Sequence, residues 1–446
     1  MKLWDKGFEI DGRIERFTVG KDRELDLMLA PFDVLGTMAH VRMLESRGLL
    51  SGEELSLLLP ELQAIWRSAV EGSFVIEEGI EDVHSEVEYL LTRKLGDVGK
   101  KVHSGRSRND QVLVDIKLFI RDRMIRTVGK VVTLFKTFQR RSEEGKDILM
   151  PGYTHFQVAM PSSFGLWFGA YAESLVNDLS ILRGAWDVVD RNPLGSAAGY
   201  GSSFPLDREM TTRLLGFSGM DVNSVYAQMS RGKTERLVAS AYASLAETLS
   251  RFAMDCCLFN SQNFGFISLP PALTTGSSIM PHKKNPDVFE LIRAKCNRLM
   301  AVPEMIRNIT SNLPSGYSRD MQETKEVFFP IFDVMDDILD ITDFAASSMT
   351  VTDGLMDNPL YQSAFSVEAV NREVLSGVPF RDAYKKVGKE IMDGSFHYDG
   401  KALCHTHEGS IGHLCNDAVA SRMDAIIATF PFDRVRSALD SLQSCK

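Results

Sequence analysis

Cysteine is scarce in this sequence, with six residues in 446, and Cys256 and Cys257 are adjacent. So few cysteines in so long a chain argue against the disulfide framework of a small secreted domain. Residues 1–11 mix charged with scattered apolar residues and lack the basic and apolar regions of a secretory signal. We therefore expect a protein of the reducing cytoplasm.

An excess of basic residues is also missing, because the formal net charge is −10 and the isoelectric point is about 5.5. This balance argues against a nucleic-acid partner, which usually requires a basic face. Residues 148–172 and 256–281 lack Asp, Glu, Lys and Arg, but Pro, Gly, Gln and Ser interrupt both stretches. We expect no membrane partner, whereas a local cluster of Lys and Arg would still suit a small anionic substrate.

Fixed-period repeats are absent, and helical periodicity takes their place. Apolar side chains recur at helical intervals in residues 22–47, and Ser51 with Glu54 has the capping-box pattern of a second helix. A further helix is predicted from about residue 81 to residue 95, ahead of Gly96. Residues 1–107 are therefore predicted to form an N-terminal helical domain.

The longest periodic pattern follows residue 111 and continues to about residue 144, which predicts a helix on the order of 50 Å long. Such a rod needs partners of similar length, so residues 108–350 are predicted to form a central long-helix bundle. Residues 351–446 complete an all-α, three-domain subunit as a small helical domain. A single bundle leaves broad apolar stripes, so we expect several subunits to associate. The partner helices are predicted at residues 162–190, 234–262, 286–310 and 322–349, with Pro330 kinking the last one.

Three polar islands interrupt the helical pattern: the first at residues 103–111, the second at 152–157 and the third at 275–286. Each is expected at a helix end. The third holds two serines, a histidine, two lysines and an asparagine, which suit a carboxylate or phosphate ligand. A solvated surface loop has a similar composition and is the alternative.

The first island places Arg106 and Arg108 around Ser107, with Asn109 next, where the long helix is predicted to begin. Guanidinium groups, an amide and unpaired backbone N–H groups at a helix N-terminus form a carboxylate receptor. The alternative is a helix cap with two solvated arginines. The second island holds His155, and a lone histidine is more often structural than catalytic.

A cluster of cysteines and histidines near the C-terminus has the residue types of a zinc site. Its spacings match no standard zinc finger, so we expect ordinary residues of a small domain and no metal. The members are Cys404, His405, His407, His413 and Cys415.

The third island resembles the signature of the fumarase, aspartase and argininosuccinate lyase superfamily, Gly-Ser-Ser-x-Met-Pro-x-Lys-x-Asn, at every fixed position. The first island is similar to the motif of the argininosuccinate lyase family, His-Thr/Ser-Gly-Arg-Ser-Arg-Asn-Asp-Gln. Fumarase and aspartase carry a Ser-Ser-Asn-Asp version without these arginines. The second island is similar to the family segment Gly-Tyr-Thr-His-x-Gln. The resemblance is weakest after residue 351.

This resemblance implies a β-elimination without cofactor or metal, in which argininosuccinate loses a proton beside a carboxylate and releases fumarate and arginine. It also implies a homotetramer whose active sites are each formed by three chains. The helical pattern agrees, because islands at different ends of rods about 50 Å long would hardly meet within one subunit.

The resemblance assigns the role of base to Ser277 and a contact with the substrate carboxylate to Lys283. It also pairs His155 with Glu290, and we take His155, helped by Glu290, as the candidate acid. The alternative for Glu290 is a solvated residue of a first helical turn. The remaining substrate-binding positions of the family correspond to Asp26, His84, Ser107, Arg108, Asn109, Thr154, Asn285, Tyr317 and Gln322.

Two departures from the family pattern concern charge near the substrate. The family serine four residues before Asp26 is Asp22 here, and the family segment Ser-Arg-Asp reads Ser230-Arg231-Gly232. The first adds a negative charge near an anionic substrate. Asp26 itself has an alternative interpretation as an exposed helix residue.

The alternative functions are those of other lyases, of a structural protein and of a hydrolase. Adenylosuccinate lyase, fumarase and aspartase are related lyases, and the arginines of the first island argue against the last two. A non-catalytic, crystallin-like structural protein would share the scaffold, but intact Ser277, His155 and Lys283 speak against it. A serine hydrolase would need Gly-x-Ser-x-Gly, which is absent.

Overall fold

The computed structural model describes residues 11–399, 403 and 405–444. The chain in this part is mostly helical, so the predicted all-α class is confirmed. The helices are α1 Gly12–Val19, α2 Asp22–Ser46, α3 Gly52–Val70, α4 Val83–Leu95, α5 Asp97–Lys100, α6 Arg108–Glu144, α7 Phe164–Val189, α8 Arg208–Leu214, α9 Ser224–Met229, α10 Lys233–Phe259, α11 Asp287–Ile309, α12 Thr324–Phe328, α13 Pro330–Ser348, α14 Ser366–Leu375, α15 Phe380–Met392, α16 Asn416–Ile427 and α17 Phe432–Gln443.

Short strands form two-stranded pairs between the helices, parallel for β3–β4 and antiparallel for β1–β2, β5–β8 and β6–β7. The strands are β1 Leu149–Thr154, β2 Gln157–Ser163, β3 Arg191–Asn192, β4 Gly219–Met220, β5 Ile267–Ser268, β6 Thr275–Gly276, β7 Lys284–Asn285 and β8 Thr350–Val351. The second polar island lies at the tip of the β1–β2 hairpin. The expectation that it sits at a helix end was therefore wrong, because a hairpin separates α6 from α7.

The long helices pack side by side into one bundle. Helix α6, with 37 residues, packs along α7 and α13, while α10, with 27 residues, packs along α7 and α11. Fully buried aromatic side chains such as Phe119, Trp186 and Phe252 fill the space between them. The helix predicted at residues 322–349 is divided, since α12 ends at Phe328 and Pro330 begins α13 as its first residue.

The N-terminal helices α2, α3 and α4 enclose a second apolar cluster. Helix α3 begins with the predicted capping box, in which the Ser51 hydroxyl accepts from the Glu54 amide and the Glu54 carboxylate accepts from the Ser51 amide. Leu442 of α17 joins this cluster, whereas α14 and α15 enclose a small third one. The division of the chain after residues 107 and 350 stays a prediction.

Helix α2 is long and apolar enough to cross a membrane by length and composition, but 72% of its most apolar window is buried inside the protein. Its apolar surface faces neighbouring helices, as expected of a core helix. The two charge-free stretches recognised in the sequence are not single helices, because the first contains the β1–β2 hairpin and the second ends in the third island.

The bundle has two ends that matter for function. Helix α6 runs from the first island to the β1–β2 hairpin. Helix α10 begins beside the end of α11, because a Cβ on Gly232 would lie 2.5 Å from Thr310 Cγ2. Helices α10 and α11 are therefore antiparallel, and the third island, just before α11, lies near the end of α10. We call the end with the first island the pocket end and the end with the other two islands the loop end.

A buried ion pair ties α6 to the segment after α7. Arg121 Nη1 lies 3.1 Å from Asp190 Oδ1, with the two side chains 1% and 2% exposed. The Arg121 guanidinium also donates to the carbonyls of Leu215 and Gly216. Burial lowers the pKa of Arg121 to about 10, against the opposing effect of Asp190.

The Asp190→Ala variant is expected to lose about 3–5 kcal/mol of unfolding free energy, because it leaves a guanidinium buried without its counter-charge. The control is Asp122→Ala on α6, next to Arg121, since the Asp122–Arg126 pair is solvent-exposed and its loss should cost less than about 1 kcal/mol. Urea denaturation of all three proteins at one protein concentration measures the difference, and equal losses in both variants would contradict it.

Candidate functional site

A cavity of about 220 Å³ opens at the pocket end between α2, α4, the start of α6 and the segment after α11. It brings together six of the predicted substrate-binding residues: Asp26, His84, Arg108, Asn109, Tyr317 and Gln322. The other side chains that line it are Asp22, Glu81, Asp82, Val112, Arg231, Arg319 and Lys325. The cavity is therefore rich in charge of both signs, which suits a zwitterionic or polyionic small molecule.

Arg108 is held in place by two acidic residues just before α4 and by a serine of α4. Its guanidinium lies 3.1 Å from Glu81 and 3.2 Å from Asp82, and it donates to Ser85 Oγ at 2.6 Å. Arg319 contacts the second oxygen of Glu81 at 3.1 Å. These contacts fix the direction of both guanidinium groups before a ligand arrives.

The rest of the first island performs a structural role in the subunit. Ser107 caps α6, since its hydroxyl accepts from the Asn109 amide, and its own amide donates to Asp110. Arg106 is half-buried and donates to Thr37 Oγ1 at 3.0 Å, and desolvation of its guanidinium lowers its pKa. Arg106 is therefore not part of the carboxylate receptor that the sequence suggested, and of the two arginines only Arg108 lines the cavity.

Asp26 is buried, at 2% exposure, so its interpretation as an exposed helix residue was wrong. Lys325 Nζ lies 2.7 Å from both Asp26 and Asp22. Burial raises the pKa of Asp22 to about 6 although Lys325 opposes this shift. The lysine thus compensates for much of the negative charge that the Asp22 departure introduces.

Lys325 and Arg319, which contribute two of the cations of the cavity, were not among the residues predicted from the sequence. A signal for Lys325 was present, because it follows Gln322 by three residues, a spacing that places two helical side chains on one face. Arg319 lies in a short 3-10 helix, Arg319–Glu323, where no amphipathic pattern marks it.

Gln322 and Tyr317 are positioned by contacts within the chain. The Gln322 amide nitrogen donates to the carbonyls of Thr18 and Val19 at 3.0 and 3.2 Å, and its oxygen accepts from Arg319 at 3.2 Å. The Arg231 guanidinium lies 5.4 Å from the centre of the Tyr317 ring. Gly232, at the second departure from the family pattern, has φ of 76° and leaves no room for a side chain beside Thr310.

His84 lines the cavity, and two buried acidic residues, Asp33 and Asp115, contact its ring. His84 Nδ1 lies 2.7 Å from Asp33 Oδ1 and 3.6 Å from Asp115 Oδ2. Burial lowers the pKa of His84, but the carboxylates of Asp33, Asp82 and Asp26 outweigh it, so the pKa is raised. Burial and the neighbouring Asp33 raise the pKa of Asp115 well above its usual range.

Thr154 and His155 lie at the loop end, on the exposed tip of the β1–β2 hairpin. Thr154 pairs with Gln157, and His155 and Phe156 between them have φ of 53° and 58°. Both residues of this tight turn are left-handed, as a two-residue hairpin loop requires. The turn presents the His155 side chain to the outside of the subunit.

The third island is a hairpin loop between β6 and β7, ahead of α11. The Ser277 hydroxyl oxygen accepts from the backbone amides of Met280 at 3.1 Å and Ile279 at 3.4 Å. Asn285 donates to Thr275 Oγ1 at 3.4 Å, and Thr275 in turn contacts Asp287. The loop therefore holds the serine oxygen beside two backbone N–H donors, in a local turn of the kind that serine favours.

Lys283 and Glu290 complete the predicted loop-end residues. Lys283 is exposed, and its backbone amide donates to the Met280 carbonyl at 3.0 Å. Glu290 is exposed in the first turn of α11. In this single subunit, Glu290 therefore has the solvated position that was its alternative interpretation.

The two groups of predicted residues are not brought together within one subunit. The 37 residues of α6 and the 27 residues of α10 connect the pocket end to the loop end. At 1.5 Å per residue these rods are about 55 and 40 Å long. Asp26, His84 and Arg108 therefore lie tens of ångströms from Ser277 and His155 of the same chain.

The C-terminal histidine cluster is occupied by ordinary contacts where the structure describes it. His405 lies 2.6 Å from Ser410 Oγ through Nδ1 and 3.2 Å from Glu368 through Nε2. His413 Nδ1 lies 3.3 Å from the Thr406 carbonyl. Cys404 lies outside the described residues.

Solved structures with the same fold come from lyases. The protein is similar to an EDDS lyase in complex with formate, with a TM-score of 0.76 and 23% identity, covering 98% of this chain and 95% of that one. It is also similar to a class II fumarase from Schistosoma mansoni, with a TM-score of 0.70 and 15% identity, covering 94% and 95% of the two chains. At these identities the likeness shows the fold alone.

A family model described as Lyase matches residues 11–301, so the chain is of the lyase class. Curated argininosuccinate lyases are much closer in sequence. Those of Parabacteroides distasonis and Phocaeicola vulgatus are each 60% identical, with 98% and 99% of each chain covered, and that of Stenotrophomonas maltophilia is 38% identical, with 95% of this chain and 99% of its own covered. This protein belongs to the argininosuccinate lyase family, as its polar islands predicted.

The raised pKa of His84 predicts a pH-dependent contribution to stability. A histidine whose folded pKa exceeds its unfolded value stabilises the fold fully below about pH 6.5 and loses that contribution as pH rises through the folded pKa. The loss of unfolding free energy in His84→Gln should therefore be larger at pH 6 than at pH 8.

Urea denaturation of wild type and variant at both pH values measures this difference. The exposed His407→Gln variant is the control and should change stability by less than about 0.5 kcal/mol at either pH. A His84→Gln loss that grows toward pH 8 would contradict the assignment.

Proposed function

We propose that this protein cleaves argininosuccinate by β-elimination to give fumarate and arginine, and so serves arginine biosynthesis. The identity of 60% with argininosuccinate lyases, over 98% of both chains, supports this substrate. The structural observation that carries the mechanism is the Ser277 oxygen held under two backbone N–H donors.

Ser277 is the proposed base for the proton beside the carboxylate. A free serine hydroxyl is a poor base, and N–H donors favour the anionic form of the oxygen they contact. The proton acceptor contributes about 10²- to 10⁴-fold to the rate when it is correctly placed. Lys283 and Asn285 of the same loop stabilise the dianion that forms on the carboxylate, since fixed donors act most strongly where charge develops.

His155 is the proposed acid for the departing guanidinium nitrogen, with Glu290 as its partner and Thr154 as a neighbouring substrate contact.

The residues of the pocket end make the remaining contacts with the substrate. Arg108, Ser107 and Asn109 at the start of α6 face the carboxylates of the succinyl group. Asp26, His84, Tyr317 and Gln322 surround the arginine half.

The proposed assembly is a homotetramer in the cytoplasm, in which the loop end of other copies closes the pocket end of each chain. The separation of the two ends along α6 and α10 supports this arrangement, because one subunit has the residues of a whole site but not their proximity. Several exposed apolar side chains at the loop end, among them Phe156, Ile279 and Met280, are suited to burial against such copies.

The rival functions receive less support. The curated relatives named above carry the argininosuccinate lyase name over nearly the whole chain, which does not favour adenylosuccinate lyase. Nor do these names favour a crystallin-like structural role.

A coupled assay for fumarate and arginine release from argininosuccinate tests the function directly. Wild-type protein is expected to release both products in equal amounts, and Ser277→Ala is expected to lose nearly all turnover because the proton acceptor is gone.

The matched control is Ser278→Ala, the exposed neighbour in the same loop, which should keep most of the activity. Size-exclusion chromatography should give the same assembly for all three proteins. More than about a tenth of the wild-type rate in Ser277→Ala would remove Ser277 as the base.

A further inference from the structure

Asp33, His84 and Asp115 form a buried trio at the wall of the pocket-end cavity. Each offers one oxygen or nitrogen atom, and these atoms all lie within 4.8 Å of one another. The three side chains come from α2, α4 and α6. His84 lines the cavity, whereas both aspartates are 1% exposed and do not line it. Any effect of the two aspartates on a ligand must therefore pass through the His84 ring.

The Asp115 carboxyl group has no hydrogen-bond donor in the part of the chain that the structure describes. Neither of its oxygens has a partner, although the side chain is almost fully buried. A buried carboxylate is costly when it is ionised without donors around it. Burial and the neighbouring Asp33 raise the pKa of Asp115 well above its usual range, and Arg106 opposes this shift without cancelling it. Asp115 is therefore the protonated, neutral acid of the two.

Asp33 has different surroundings. Its Oδ1 lies 2.7 Å from His84 Nδ1, whereas Asp115 Oδ2 lies 3.6 Å from the same nitrogen. Its Oδ2 has no partner of its own among the described residues, so it is free to accept the O–H of a protonated Asp115. The two acids thus share one proton and carry one negative charge. That charge lies on Asp33, in contact with the ring.

The His84 ring transmits this charge to the cavity. An ionised Asp33 beside Nδ1 keeps a proton on that nitrogen. The other nitrogen, Nε2, makes no hydrogen bond to any described residue and is the atom available to a ligand. In a positively charged ring Nε2 carries a hydrogen and can only donate. A charged donor of this kind suits a carboxylate, and both halves of argininosuccinate carry carboxylates.

We infer that Asp33 and Asp115 are positioning residues that share one proton and thereby fix His84 as a charged hydrogen-bond donor to a carboxylate of the substrate. Asp33 provides the negative charge beside the ring, and Asp115 orients that carboxylate by donating its proton. This inference rests on the proposed function and extends it to two residues outside the three polar islands.

The groups around the trio decide how the interaction depends on pH. Desolvation lowers the pKa of His84, but the carboxylates outweigh it, so the pKa is raised. Asp26 and Asp82 add to this shift, and Arg106 faces the two aspartates. His103 stays neutral, because desolvation lowers its pKa to about 4. The contribution of His84 to binding should therefore be complete below about pH 6.5 and weaken as pH rises through the raised pKa.

The pH profile of KM for argininosuccinate, between about pH 6.5 and pH 9, tests the inference. The double variant Asp33→Asn/Asp115→Asn removes the negative charge, so the pH at which KM begins to rise should fall by about 1–3 units. Near pH 7.5 its KM should rise about tenfold, as expected for one lost hydrogen bond between charged groups. Its kcat should stay within about threefold of wild type, since His84 is not assigned a part in the bond changes.

The matched control is Asp178→Asn, another buried aspartate, which lies on α7 and does not line the cavity. Its pH profile should be that of wild type even if the variant is less stable. Urea denaturation verifies that each variant is folded at every pH of the assay. A double variant that is folded and keeps the wild-type pH profile would overturn the inference.

Two variants at position 115 test the shared proton itself. Asp115→Ala leaves one oxygen of Asp33 without a donor and should shift the pH profile in the same direction as the double variant. Asp115→Asn should restore the profile, because its amide N–H donates to Asp33 as the protonated acid does. If Asp115 were ionised, Asp115→Asn would remove a charge and shift the profile as the double variant does. That result would contradict the shared proton.

Calorimetric titration of the full-length proteins with arginine and with fumarate identifies the half of the substrate whose carboxylate His84 binds, and it requires no turnover. One of the two products should bind about tenfold more weakly to the double variant than to wild type near pH 7.5. Equal affinities of both proteins for both products would count against the inference. If binding depends on Asp33 but argininosuccinate is not cleaved, the proposed function fails and the role of the trio stands.

Discussion

The length of the bundle helices is the constraint on which the rest of the structure depends. Helices α6 and α10 keep the pocket end and the loop end tens of ångströms apart, and packed helices of this length do not bend to close such a gap. In the proposed assembly, each subunit has two half-sites that face different neighbours. The same rods give the subunit long apolar faces, so the feature that separates the half-sites also provides the surfaces for association.

Buried charge organises the pocket end before any substrate arrives. Arg108 is fixed by Glu81 and Asp82, and Lys325 by Asp22 and Asp26, so the cations are held by acids whose own geometry is set by α2 and α4. Such pairs bring little net stability, because desolvation offsets much of their attraction. Their value lies in holding donors and acceptors in one arrangement, which lowers the cost of ordering them around a ligand. The loop end works differently, with backbone amides as its fixed donors around Ser277.

Much of the fold followed from the sequence, because periodic apolar residues and helix caps are local signals. The capping box at Ser51 and the long helix that begins at Arg108 are examples. The hairpin that presents His155 was missed, since its two-residue turn contains no Gly or Asn to mark it. Family motifs supplied the candidate residues of both proposed half-sites, but Lys325 and the inward direction of Arg106 depend on tertiary contacts. No local pattern records which way a guanidinium points.

The most direct test of the shared-site account is to mix two inactive variants, one altered at each end of the bundle. Arg108→Ala disables the pocket end and Ser277→Ala disables the loop end, and each protein alone should be inactive. After joint dissociation and reassembly, the hybrid oligomers should regain part of the wild-type rate, because some sites combine an intact pocket end with an intact loop end from another copy. Hybrid oligomers that form, as differently tagged subunits would reveal, but remain inactive would contradict the account.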